Sequence, residues 1–171
     1  LLKNSFSELG QSVDLAVLES WGVLGYLAGV GLGALMTTLM QSSSAAMAVI
    51  LTARSQEVLS APFAAALVIG ANLGTTSTAL LSTIGATPNA RRVAILHVAF
   101  NLLTGAVALV LLFPTLEGIS RLHGLLGSTP PPAADLALFH TSFNVLGLLL
   151  MWPLSGWLVR VLEARFRSAE E

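Results

Sequence analysis

Four polar residues stand in succession at Gln41-Ser42-Ser43-Ser44, inside a tract from Ser20 to Ala53 that holds no charged residue. A second polar patch, Gly70-Ala71-Asn72-Leu73-Gly74-Thr75-Thr76, lies in the next uncharged tract. Gln41 and Asn72 offer donors and acceptors together, and each Ser or Thr hydroxyl offers one donor and two lone pairs. None brings a formal charge. Two kinds of binding follow if a helix restarts at each patch. Its unpaired N–H groups and partial positive charge favour an anion. The carbonyls freed where the preceding helix unwinds, with Ser and Thr oxygens beside them, suit a hard cation such as sodium. For a single serine, a small residue at a helix contact would be the better reading. Four in succession plus a second patch favour binding.

The elements that position these residues are dictated by composition. The chain of 171 residues is 54% hydrophobic and only 10% charged, against roughly 25% charged in a soluble domain. The charges are segregated, leaving uncharged tracts at 20–53, 58–90, 93–116 and 136–159. A bilayer core of roughly 30 Å takes about 20 helical residues, so 93–116 and 136–159 are predicted as full transmembrane helices. The tract 20–53 would make a helix of about 50 Å, too long for one span and too short for two. It is predicted to break at Gln41 to Ser44 into a helix plus a re-entrant hairpin. The tract 58–90 opens with Pro62, suited to a first helical turn, and is predicted to break around Gly70 to Gly74. Irregular backbone at membrane depth is tolerated only if it is buried in protein or lines a wet cavity. The fold class is therefore all-α and polytopic, with a polar leader or linker over 1–19, a membrane repeat over 20–160 and an amphipathic tail over 161–171.

Further patterns bear on packing and orientation. His97, Phe100 and Asn101 repeat as His140, Phe143 and Asn144. The two histidines and two asparagines are read as buried polar residues bonded to neighbouring helices, or as groups standing behind the binding residues. Gly25, Gly29 and Gly33 make a smooth stripe for close approach of another helix. Arg91 and Arg92, and the arginines from Arg160 onward, fall on one side of two antiparallel spans, which the positive-inside rule makes cytoplasmic. The loop from Glu117 to Asp135 then faces outward. The absence of cysteine removes thiol chemistry, and a net charge of -1 gives no reason to expect nucleic acid. A secretory signal peptide is set aside, because apolar tracts fill the chain.

Gln41-Ser42-Ser43-Ser44-Ala45, followed by Gly70-Ala71-Asn72-Leu73-Gly74-Thr75-Thr76, resembles the signature pair of the sodium-dependent phosphate cotransporter family, and the resemblance runs from about Trp21 to about Arg160. It implies a multi-pass cell-membrane transporter of two inverted repeats, each with its own Gln-Ser-Ser-Ser hairpin, facing each other around phosphate and sodium. Gln41, Ser42, Ser43, Ser44, Asn72, Thr75 and Thr76 would then bind phosphate. Ser43, Ser44, Asn72, Thr75 and Thr76 would hold sodium, with no cofactor beyond that coupling ion. The chain has one such motif, so it is expected to be the second repeat and to need a missing first repeat as partner, besides phosphate, sodium and the lipid bilayer. Two rivals are a membrane-embedded lipid-phosphate phosphatase, with Ser and His as nucleophile and base, and a structural or assembly subunit. The phosphatase is disfavoured because no Asp, Glu or Arg lies within the four tracts, so the chain is not expected to be an enzyme.

Overall fold

The computed structural model describes residues 15–128 and 131–166. Among them are seven helices and no strand: α1 (Leu15–Ser20), α2 (Val23–Met40), α3 (Ser43–Ser55), α4 (Ala61–Leu81), α5 (Pro88–Val110), α6 (Leu112–Leu126) and α7 (Pro132–Arg165). By length and composition α2, α4, α5 and α7 are each able to cross a membrane. Local chemistry sets their starts. The Ser60 hydroxyl accepts from the Phe63 amide at 3.3 Å with Pro62 in the first turn of α4. Thr87 accepts from the Ala90 amide at 3.4 Å with Pro88 next in α5. A proline here wastes no hydrogen bond, since the first N–H groups of a helix have no partner within it.

The centre of the bundle is a seam between α2 and α4. Gly25, Gly29, Gly33 and Thr37 form the buried side of α2. A Cβ at Gly29 would stand 3.2 Å from Phe63 and Ala66, one at Gly33 would fall on the backbone of Leu67 and Ala71, and one at Gly74 would meet Ala34 and Thr37. Residue numbers rise together along both helices, so α2 and α4 run parallel with backbone against backbone. The intervening α3 is therefore the return stroke, and the Ser60 amide donates to the Glu19 carboxylate at 3.4 Å where α4 begins. Around the seam, Ile50, Phe63, Ile69, Leu112, Leu136 and Phe139 are almost fully buried. α4 packs on α2, α3, α5, α6 and α7, whereas α7 exposes Leu149, Trp152 and Trp157.

The expected break around Gly70 to Gly74 does not occur: α4 is continuous from Ala61 to Leu81. Both glycines face α2 instead, completing the seam from the other side. Thr75, Thr76, Ser77 and Thr78 turn their hydroxyls onto the carbonyls of Asn72, Leu73, Gly74 and Thr75 at 2.7–2.8 Å. Such back-bonding satisfies hydroxyls inside an unbroken helix. The interruption at Gln41 to Ser44 does occur, in a narrower form. Gln41 is left-handed (φ 52°), Ser42 is extended, and Ser43 and Ser44 already belong to α3.

The third and fourth tracts are also arranged differently from the expected 93–116 and 136–159. Pro114 has no N–H for the carbonyl of Val110 and crowds it, so α5 ends at Val110 and α6 follows from Leu112. Much of the segment read as an outer loop is thus the helix α6, with Leu112 and Ile119 buried and an exposed Arg121–Glu117 ion pair of 2.8 Å. α7 extends through the expected tail as far as Arg165. Residues 1–14 of the expected leader and 167–171 of the expected tail lie outside the described residues. Arg92, near the start of α5, is buried and donates to the carbonyls of Glu163 and Phe166 at the end of α7. Those two helix ends, and the link from α4 to α5, therefore share one end of the bundle.

Candidate functional site

At Gln41–Ser42 the carbonyl end of α2 and the amide end of α3 meet within two residues. Gln41 donates its side-chain amide to the Thr38 carbonyl. Ser42 caps α3, accepting from the Ala45 amide at 3.2 Å and lying 3.2 Å from the Ser44 hydroxyl. The amides of Ser43 and Ser44 are the first two of α3 and have no acceptor within it. One end thus concentrates partial positive charge and the other partial negative charge. This tip faces Thr75, which lies roughly 21 Å along α4 and about 9 Å short of Leu81 at 1.5 Å per residue.

Two cavities flank the tip. The first, of about 260 Å³, is lined by Thr37 and Gln41 of α2, the three serines, and Thr75 and Thr78 of α4. Every polar side chain in it is neutral. Thr37 is 2% exposed, and its hydroxyl has no hydrogen-bond partner among the described residues. The second cavity, of about 220 Å³, lies between Ser43, Ser44 and Met47 on α3 and Val68, Ala71 and Asn72 on α4, with His140 of α7 at its edge. Ser43 and Ser44 line both, so they form a thin wall between the two spaces.

Behind the wall runs a chain of polar side chains. Asn72 donates its amide to Asn101 Oδ1 at 2.6 Å. Asn101 Nδ2 donates to the His97 carbonyl at 3.0 Å and lies 3.2 Å from His97 Nε2. The Thr75 hydroxyl, donating to the Asn72 carbonyl at 2.7 Å, is also 3.2 Å from His97 Nε2. Asn101 is buried and His97 is exposed.

The structure brings Gln41, Ser42, Ser43, Ser44, Asn72 and Thr75 around the two cavities, with His97 and Asn101 bonded behind them. Thr76 is turned to the Leu73 carbonyl and lines neither cavity. Asn144 donates to the His140 carbonyl of its own helix at 2.8 Å, so of that pair only His140 reaches a cavity. Two polar lining residues escaped the sequence reading, Thr37 and Thr78. The signals were present: Thr37 continues the four-residue spacing of the glycine stripe, and Thr78 stands one turn beyond Thr75.

Fold and site together define a polytopic helical membrane protein with a broken-helix polar site of the kind found in transporters. The family model described as Na+/Pi-cotransporter matches residues 15–127. The chain belongs to that family. It is 28% identical over 132 residues to the uncharacterized protein YqeW of Bacillus subtilis, covering 77% of this chain and 41% of that protein. It is also 31% identical over 141 residues to YjbB of Salmonella typhimurium and of Escherichia coli K12, covering 82% of this chain and 25% of each. YjbB is named, provisionally, an inorganic phosphate export protein. The chain thus spans less than half the length of these relatives. No solved structure matches it significantly.

Proposed function

We propose that the chain supplies half of a sodium-coupled phosphate transport site, the other half coming from a further repeat of the same family. The observation that carries this is the meeting of two helix ends at Gln41–Ser42, with only neutral donors and acceptors around it. Phosphate is held at the amide end of α3 by Ser43 and Ser44, with Asn72 and His140 in the same cavity. Sodium is held on the carbonyl side, by the oxygens of Gln41, Ser42 and Thr75, with Ser43 and Ser44 between the two ions. An anion bound without a full positive charge is released more readily than one clamped by arginine, as turnover requires. The level of the tip along α4, short of its end, supports a hairpin that re-enters the membrane. The shared end of α5 and α7, rich in arginine, is cytoplasmic by the positive-inside rule. Membership of a transporter family and the name given to YjbB support phosphate as cargo over the hydrolysis of a lipid phosphate.

Isotopic phosphate uptake by the native protein that contains this chain, normalised to surface protein, tests the proposal. Ser43→Ala and Ser44→Ala should each remove a hydrogen bond to a charged ligand worth about 1.5 to 3 kcal/mol, raising the phosphate KM by roughly one to two decades. Unchanged dependence on phosphate and on sodium in both variants would rule the site out.

A further inference from the structure

We infer that His97 is a positioning residue that couples the two cavities, a step that rests on their reading as cation and anion sites. The argument is a count of protons at one atom. The single hydroxyl proton of Thr75 is committed to the Asn72 carbonyl at 2.7 Å. Toward His97 Nε2, at 3.2 Å, Thr75 therefore presents a lone pair and calls for Nε2 to carry a proton. Asn101 makes the opposite demand. Its Oδ1 accepts from Asn72, so its NH2 group faces Nε2 at 3.2 Å and calls for a bare nitrogen. One nitrogen cannot meet both demands at once.

Two arrangements follow. With Nε2 protonated, His97 holds the Thr75 oxygen, and Asn101 keeps only the His97 carbonyl at 3.0 Å. With the proton on Nδ1, Nε2 accepts from Asn101 and the Thr75 oxygen is left free. Thr75 lines the first cavity and Asn72, bonded to Asn101, lines the second. A cation that engages the second lone pair of the Thr75 oxygen repels the positive end of the Nε2–H bond and so disfavours the first arrangement. The second arrangement then draws on Asn101 and, through it, re-aims the Asn72 amide beside the anion. The coupling is reciprocal by linkage, so the anion favours the cation equally. A third cavity of about 420 Å³, between the end of α4 and the start of α5, is lined by Ala79, Ser82, Ala90, Val93, Ala94 and His97. Its small walls leave the ring room to turn.

The test is phosphate uptake into liposomes containing the native protein, with the phosphate KM measured at low and saturating sodium. In the unmodified protein sodium should lower this KM by about 5- to 150-fold, the usual range of coupling between sites. His97→Phe should keep uptake at saturating sodium and phosphate but reduce the KM shift to less than about twofold. His97→Gln, whose amide supplies both a donor and an acceptor, should restore it. A purely structural role would change the amount of protein or the maximal rate and leave the shift intact. Should His97→Phe fail to accumulate, His97→Leu is judged by the same criterion. A KM shift that survives in the apolar variant overturns this inference alone. Uptake by the unmodified protein that is indifferent to sodium overturns the transport reading, and this inference with it.

Discussion

Gly70→Ala tests the seam at its tightest point. The added Cβ would run into the carbonyl oxygen of Val30, and would stand 2.8 Å from that carbonyl's carbon and 2.9 Å from the amide nitrogen of Ala34, all backbone atoms of α2. Non-bonded carbons settle at about 3.5–4.0 Å. The Val30 oxygen being nearest, the two helices must part by more than ~1 Å, since backbone cannot swing aside as a side-chain tip would. Overpacking of this kind costs about 1–3 kcal/mol, and the backbone contact places it at the upper end. Ala also gains about 0.8–1 kcal/mol over Gly in helix propensity, which Gly31→Ala isolates, because a Cβ at Gly31 meets nothing within 4 Å. Reversible unfolding of both variants in mixed micelles should find Gly31→Ala neutral or stabilised and Gly70→Ala less stable than it by about 2–3 kcal/mol. Thr37 and Thr75 face each other across the same seam, so the half-saturating sodium concentration should rise as well. Stabilities within ~0.3 kcal/mol of each other, the usual scatter for independent sites, would refute the parallel, backbone-to-backbone packing.

Thr37→Val removes a hydroxyl that has no hydrogen-bond partner among the described residues; stability should hold or improve, while half-saturating sodium rises roughly tenfold, about 1.4 kcal/mol. Equal sodium dependence would remove Thr37 from the cation site. The chain has no cysteine, so Ser44→Cys, at an exposed position, should react with a water-soluble thiol reagent while Ala46→Cys, at a residue 0% exposed, stays protected. Equal labelling at both would dissolve the hairpin tip. Arg92→Met should cost about 1.5–3 kcal/mol in the same unfolding assay through loss of charge-assisted bonds to the Glu163 and Phe166 carbonyls, and a neutral result would show that the α5–α7 junction does not depend on it.

Uncharged tracts and lengths were enough to locate the four long helices, and the run of polar residues at Gln41 to Ser44 located the break. Glycine proved ambiguous because its two uses look alike in one dimension. At Gly70 and Gly74 it serves close approach within a continuous helix, and only the partner helix reveals that. Thr75 and Thr76 misled for a related reason: hydroxyls that look stranded in an apolar tract bond to carbonyls one turn earlier in the same helix. α6 was hidden because the text from Glu117 onward mixes charge with apolar residues, and its cause, Pro114, acts on a residue four positions back. Thr37 was missed because a lone threonine near a helix end is ordinary until its surroundings are known.

The contact between Arg92 and the end of α7 has a bearing on the order in which the protein is made. A ribosome releases α5 well before Glu163 and Phe166 exist, so during that interval the guanidinium lacks two of the acceptors it has in the finished fold. A cation near a membrane span without its full set of partners is costly there. Arrival of the last turn of α7 supplies these two carbonyls. The last turn of α7 thus acts as the clasp that fastens the first turn of α5.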